Sequence, residues 1–573
     1  MTSDASPAQR RSARIPAACS LALFVLWAEV AAAQIVPLPP LPPQADISRQ
    51  RVLPLPLPDR TYDLNLLTPE RSAVPRAVDE IEFSVSRIRV TGATVFSDTE
   101  LAGIFAPLEG RKILLDDLRR AAERLEGLYR ARGHFLTRVL VPPQVVRDET
   151  LDVQVLEGFI AEVFVDGPNA STSNVGRALI GPVTTRRPVR LVDLESPLLL
   201  LNDMPGIRAS SVLKPGIAPA SSDLLLKLER KPTQSYLAVS NFASDVVGPF
   251  TVAMGTTVSQ PFGFPGAADL SLTGAGETLD ELQVFTVRYA TPVGRRGAVV
   301  AVGLVLAQAL PGGEVAQLGI RSRSGSGSIR ARVPILRTRA NAVFFDAGIS
   351  VNRSRVSALG EPITNDRNSV ADVALAWRQV GWLGGDMNLR LGVARGLMMV
   401  DANDRTTPLP SVAGFSPEFS KLTLLLQRNQ PLAGKLSAAF VLQGQYSGQL
   451  LLAGERLAFG GSLIGRGYDP SSIIGDKGLG GLAEFRFALP RLSVQGRWDG
   501  MQLYAFGDMA VTTMNPLAGQ QGSTNRLASL GIGLRALAFK RLAIDAHVAG
   551  ARRTLFSATA LRERINFSAT LLF

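Results

Sequence analysis

From about Gln234 to Phe573 the chain repeatedly places apolar side chains at every second position, with short polar or glycine-containing breaks between the runs. Phe285, Val287 and Tyr289 alternate with Thr286 and Arg288; Val373, Leu375 and Trp377 with Ala374, Ala376 and Arg378; Leu389, Leu391 and Val393 with Asn388, Arg390 and Gly392. A period of two puts each set on one face of a strand, and Gly, Pro, Asn and Asp in the breaks turn the chain. The final eleven residues end the same way. Ile565, Phe567, Ala569, Leu571 and Phe573 share one face, and Asn566, Ser568 and Thr570 the other. An ordinary half-buried edge strand would alternate likewise. An apolar-out, polar-in strand finishing on an aromatic also suits the closing strand of a transmembrane β-barrel, where an open edge would leave backbone groups unsatisfied in lipid. At roughly 20 residues per strand with its turn, the region of about 340 residues accommodates about 16 strands.

The N-terminal pattern is different. Arg10, Arg11 and Arg14 precede an apolar run from Leu21 to Ala33, broken only by Glu29, and Ala31-Ala32-Ala33 offers a cleavage site before Gln34. Residues 1–33 therefore read as a secretory signal peptide. The run of about 13 residues is too short to span a bilayer, and no other apolar stretch approaches the ~20 residues a spanning helix needs. Membrane insertion would have to be by strands. Prolines at 37, 39, 40, 42, 43, 54, 56 and 58 then remove donors and hold residues 34–80 extended, as a tether, with a binding role for the Pro-Leu-Pro repeats as the alternative.

Between tether and strands the periodicity predicts two α/β modules, at 81–158 and 159–232. In the first, Ser84 to Val90 alternates as a strand, Ser97-Asp98-Thr99-Glu100 is a capping box, and Leu118, Ala121, Leu125 and Leu128 share one face of a helix over 114–132. Strands over 135–141 and 150–156 complete it. In the second, strands over 160–167, 207–213 and 224–228 flank helices over 174–179 and 192–202. The region 233–573 is left for the barrel.

Composition agrees with this reading. The chain of 573 residues is 46% hydrophobic but only 6% aromatic, has 53 glycines and carries a net charge of +12. Its basic residues are scattered through the strands, which suits a water-filled lumen, an unfolded polypeptide or lipopolysaccharide phosphates better than nucleic acid. The single cysteine, Cys19, lies ahead of the signal's apolar run, so no disulfide or thiolate site is expected after cleavage. His134 and His547 have no histidine at ligand spacing, no G-x-S-x-G or phosphate-binding loop is present, and no enzyme, metal or cofactor is predicted. A soluble β-propeller or sandwich array would share the strand pattern, but the signal peptide, the absence of cysteines after it and the terminal Phe573 together favour the barrel, and a porin would have no need of the α/β modules.

Most specific is Gly460-Gly461-Ser462-Leu463-Ile464-Gly465-Arg466-Gly467-Tyr468-Asp469-Pro470, followed by Gly475-Asp476-Lys477-Gly478 and Glu484-Phe485-Arg486-Phe487. Behind two α/β modules, it resembles the Arg-Gly-Phe/Tyr loop of the two-partner-secretion transporters, the TpsB or ShlB/FhaC/HecB family of the BamA-like superfamily. Tyr129 to Phe135 and Leu198 to Gly206 resemble signatures of that family's two POTRA domains. The resemblance implies a 16-stranded outer-membrane barrel with two periplasmic POTRA domains, exporting a TpsA-like exoprotein of adhesin or hemolysin type without a nucleotide. It would itself be inserted by the outer-membrane assembly machinery, with Phe573 in the C-terminal signal, and would lie among lipopolysaccharide. The tip Gly465, Arg466, Gly467 and Tyr468 would fold into the lumen, Arg466 pairing with Asp508 of Phe506-Gly507-Asp508-Met509-Ala510 on the wall. Gly465 stands where valine is common in the family, and Ala510 where the motif has glycine. The candidate edge for an unfolded partner is the strand bearing Phe135, Thr137, Val139 and Val141. An assembly factor that inserts other barrels is the nearest alternative; such members usually carry three or five POTRA domains.

Overall fold

The computed structural model describes residues 82–573 except 146–147, 400, 490–497, 518, 520 and 553–560. The segments expected to be signal peptide and tether, 1–33 and 34–80, lie outside the described residues.

The first module runs β1 (Glu82–Val85), β2 (Arg87–Thr91), α1 (Asp98–Phe105), β3 (Arg111–Leu114), α2 (Leu115–Ala131), β4 (Arg138–Leu140) and β5 (Thr150–Leu156). The strand expected over Ser84–Val90 is two strands: Ser86 N–H donates to Glu149 O at 2.9 Å, β1 pairs with β3, and β2 pairs with β5. The capping box forms as expected at Ser97 and Glu100. The amphipathic face of α2 buries Leu118, Ala121, Leu125 and Tyr129 against Val153 and Val155 of β5. Glu157, just past β5, accepts Thr94 N–H at 2.6 Å, Val95 N–H at 3.2 Å and Tyr129 Oη–H at 2.7 Å. It thereby fastens the sheet to the helix.

The second module runs β6 (Phe159–Asp166), α3 (Ala170–Ile180), α4 (Leu191–Asp203), β7 (Ile207–Pro215) and β8 (Ser221–Arg230). Helix α3 starts four residues earlier than expected because Asn169 caps it, accepting Thr172 N–H at 2.8 Å, so Ser171, Thr172 and Ser173 join a helix their propensities do not favour. The strand expected over 135–141 shortens to Arg138–Leu140 for a related reason: Phe135 and Leu136 leave the first sheet and pack on the core of the second module.

Sixteen antiparallel strands, from Gln234–Ser240 to Leu561–Leu572, form a closed barrel. Closure pairs the last strand with the first, from Ser568 opposite Ser240 to Leu572 opposite Tyr236, and Ser235 and Phe573 exchange backbone hydrogen bonds at 2.9 and 3.0 Å. Every edge is thus satisfied, as a bilayer requires. Alternation sorts the faces: Leu272, Phe285, Ile329, Leu375, Phe485 and Leu530 are exposed on the outside, while ion pairs such as Arg332 with Asp346 (2.7 Å) occupy the lumen.

The second module sits against the barrel's turns. Asp203, at the end of α4, accepts two bonds from Arg337 at 2.5 and 3.0 Å, and Glu195 pairs with Arg339. Gly206 O accepts from Gln260 Nε2 at 3.3 Å, and a Cβ at Gly206 would lie 2.0 Å from Gly266 O. The segment Leu198–Gly206 is therefore where module and barrel meet, and Gly206, at φ +74°, permits the close approach.

Candidate functional site

The eleventh and twelfth barrel strands, Leu436–Tyr446 and Lys477–Ala488, are joined by the loop 447–476, which turns back into the barrel. Its apolar residues explain the direction. Leu457, Phe459, Ile464 and Ile473 are 5% exposed or less, packed with Val441, Leu482, Tyr504 and Phe506 of the wall. Burial of each such side chain is worth about 1.5–3 kcal/mol, which an outward loop would forgo. At the loop's base, fully buried Asp476 accepts Leu451 N–H at 2.9 Å and Asn515 N–H at 2.8 Å and pairs with Arg456 at 3.1 Å.

The tip is a tight turn in which Tyr468 N–H donates to Gly465 O at 2.9 Å. Gly465 has φ +89°, and a Cβ there would lie 2.9 Å from Gly460 Cα, so this turn calls for glycine rather than the valine that the resemblance leads one to expect. This conformation aims the N–H groups of Gly465 and Arg466 at Asp508, at 2.9 and 3.2 Å. Asp508 also accepts Ser529 Oγ–H at 2.6 Å, and Gly467 N–H donates to Ser529 Oγ at 3.2 Å. Tyr468 Oη–H donates to Ala528 O at 3.3 Å. Ala510 is buried in the same apolar cluster.

The expected Arg466–Asp508 side-chain pair needs correcting. With three donors already on Asp508, the Arg466 guanidinium extends along the wall, 4.5 Å from the Phe506 ring centroid, and pairs with Glu484 at 2.7 Å. Glu484, fully buried, also receives Arg486 Nε at 2.6 Å and Arg535 Nη1 and Nη2 at 2.5 and 3.0 Å. Arg535 Nε reaches Asp545 at 2.5 Å, and Asp545 accepts Tyr504 Oη–H at 2.6 Å and faces His547 Nδ1 at 3.3 Å. His547 Nε2 is 3.1 Å from Asn566 Nδ2, which donates to Arg466 O at 2.9 Å. The chain of bonds closes on the arginine where it began. Three arginines (466, 486, 535) face three carboxylates (484, 508, 545), so the cluster is balanced in charge.

Glu484, Arg535, Asp545 and Asn566 had no role in the sequence reading, which quoted Glu484 only as part of a motif. Their signal was available: each occupies the polar phase of an alternating strand and so points into the lumen. The candidate edge residues are largely enclosed. Thr137 and Val139 are 2% and 9% exposed, Val141 packs on the first module's core and Phe135 on the second's. Phe573 is 65% exposed at the end of the closing strand.

Residues 221–536 match the family model of the haemolysin secretion/activation protein ShlB/FhaC/HecB, more than half of the chain, and residues 83–158 match the POTRA domain, ShlB-type. The chain belongs to the ShlB/FhaC/HecB family. Its barrel is an outer-membrane barrel, with the POTRA modules on the periplasmic side. Among curated relatives of this family member, the heme/hemopexin transporter protein HuxB of Haemophilus influenzae strain 86-028NP is 27% identical over 203 residues, 35% of this chain and 36% of that protein. HuxB of strain Rd is 28% identical over 180 residues, 31% and 32% of the two chains. The match thus spans about a third of the length of these relatives. Two solved structures share the fold: CdiB from Escherichia coli (TM-score 0.67, 18% identity, 88% of this chain and 93% of that one) and CdiB from Acinetobacter baumannii (TM-score 0.59, 17% identity, 89% and 95%).

Proposed function

We propose that this chain is the outer-membrane transporter of a two-partner secretion system, passing one unfolded, TpsA-like exoprotein through the barrel, and that it does so without catalysis or a bound cofactor. The observation that carries the reading is the inward loop held by Arg466. Such a plug is of use only if it can be removed, and the wall is built for removal: when Arg466 leaves, Glu484 keeps Arg486 and the two bonds from Arg535, so no buried carboxylate is stranded. Asp508 keeps Ser529 and gains access to water as the lumen opens.

In this account the passenger first pairs with a sheet edge of the POTRA modules, where main-chain bonds give affinity with little demand on sequence. The first-module edge at β4 offers three residues and is followed by Pro142 and Pro143, which have no N–H to offer. In the second module β7, nine residues long and paired among the described residues only with β8, offers a longer edge close to the barrel mouth. Folding of the passenger outside the cell then draws the chain through. The transporter itself reaches the membrane through the outer-membrane assembly machinery.

The test is to express the chain with a large exoprotein encoded beside it and measure that protein in the medium, with and without the chain. Secretion that requires the chain supports the proposal. Exoprotein appearing regardless, while other barrels fail to assemble without the chain, would replace it with an insertase.

A further inference from the structure

On the barrel's outer face, the sixth to ninth strands (Arg321–Arg337, Asn341–Ala358, Glu361–Trp382 and Gly385–Leu397) each carry an arginine in the outward phase toward the extracellular end, with Ile363 and Leu397 the apolar residues further out. Counting by twos, Ile329, Gly327 and Gly325 lead to Arg323; Ile349 and Val351 to Arg353; Leu375, Val373, Ala371 and Ser369 to Arg367; Leu391 and Val393 to Arg395. Arg355 and Arg321 lie one step further out. The residues that continue the Arg323 row onto the third to fifth strands, Gly274, Gln283 and Gln308, carry no charge. The arginine cluster thus ends at the sixth strand on this flank; beyond the ninth strand, Lys477 and Arg526 stand singly in the outward phase of the twelfth and fourteenth strands.

The cluster's internal pairing is unfavourable without a ligand. Arg323 stands directly opposite Arg355, and Arg353 directly opposite Arg367, and like charges opposed across strands repel. Asp401 relieves the second pair, touching Arg367 and lying 3.9 Å from Arg353. Arg323 and Arg355 are exposed, and among the described residues neither lies within ion-pair distance of a carboxylate.

We infer that this face binds the phosphate groups of a phosphorylated glycolipid of the outer leaflet, lipid A, with its acyl chains on the apolar belt below. An arginine fork matches a phosphate in geometry as well as charge. The apolar belt below the arginines, which begins directly beneath Arg353 and Arg395 with Val351 and Val393 and continues to Ile329 and Leu375, favours an amphipathic anion over a soluble one. The inference rests on the membrane placement of the barrel and is independent of what the barrel transports.

The experiment measures retention of bis-phosphorylated lipid A on the purified full-length chain in detergent by native mass spectrometry. Dephosphorylated lipid A and inorganic phosphate form parallel arms. Wild type should retain the phosphorylated lipid, and Arg323→Gln/Arg355→Gln should weaken retention by on the order of tenfold or more, two charge-assisted contacts being lost. Heat-modifiable electrophoretic mobility shows that the variant barrel is folded. Equal retention of the dephosphorylated lipid, an unaltered double variant, or complete displacement of lipid A by equimolar inorganic phosphate would each overturn the inference.

Discussion

Replacing Glu484 with alanine should open the lumen more than replacing Arg466. Glu484 is fully buried and accepts four bonds from three arginines. Without it, Arg466, 4% exposed and with no hydrogen-bond partner on Nε, would keep its place in the lumen only as an unpaired cation. Stranding one member of a buried pair costs roughly 3–5 kcal/mol. At about 1.4 kcal/mol per factor of ten, that shifts the balance between inserted and released loop by about two to three orders of magnitude. Arg466→Ala strands nothing, since Glu484 keeps two arginines, and removes one charge-assisted bond worth about 1.5–3 kcal/mol. The ordering is therefore Glu484→Ala above Arg466→Ala above wild type in open probability, read as single-channel conductance of the full chain in planar bilayers. Folding is checked by heat-modifiable mobility. A Glu484→Ala barrel as closed as wild type, or less open than Arg466→Ala, would refute the argument.

Other consequences follow from the same contacts. Gly465→Val forces a β-branched residue to φ +89° and toward Gly460, at a cost of roughly 1–3 kcal/mol, and should raise open probability without touching any charge. Arg337→Ala removes a side chain 9% exposed with two bonds to Asp203; hydrogen exchange should quicken at the end of α4 while the core of the second POTRA module keeps its protection. Burial would raise the Glu157 carboxyl, but bonds from Thr94, Tyr129 and Val95 outweigh it and hold the group below its usual 4.5. A lowered carboxyl contributes stability that is present above pH 4.5 and lost as pH falls through the folded value. The first module's urea midpoint, followed by pulse-labelled exchange in the full chain, should fall on acidification below that point, and Glu157→Gln should flatten the dependence.

The architecture was legible because a lipid-facing strand must alternate and a closed barrel must repeat that alternation. Around Phe285, Trp377 and Leu389 the period of two carried the reading without help. Local helix signals did as well where a cap was explicit, as at Ser97, and less well at Asn169, where the cap lies ahead of poor helix formers. The β4 segment was misjudged because Phe135 alternates properly but serves the neighbouring module, and nothing within one strand's pattern shows which core a residue will choose. The site was half legible. A motif located Arg466 and Asp508 but not their chemistry, since Asp508 is saturated by tip N–H groups and Ser529. The true partner, Glu484, is brought to Arg535 by register between strands that lie 51 positions apart in sequence.

The central claim, that the loop must leave the lumen for transport, is most directly tested by tethering it. A Cβ at Gly467 would lie 3.1 Å from Ser529 Cβ, just short of the ~3.5–4.5 Å a disulfide spans, but also 2.6 Å from Ala551 Cβ, so the tether and both single variants are built on an Ala551→Gly background that secretes normally. The chain's one cysteine, Cys19, lies in the segment read as signal peptide. With Gly467→Cys/Ser529→Cys, secretion of the exoprotein should cease when the pair is oxidised and return on reduction, while each single variant secretes under both conditions. Undiminished secretion through a barrel whose tether is shown to be fully formed would contradict the account.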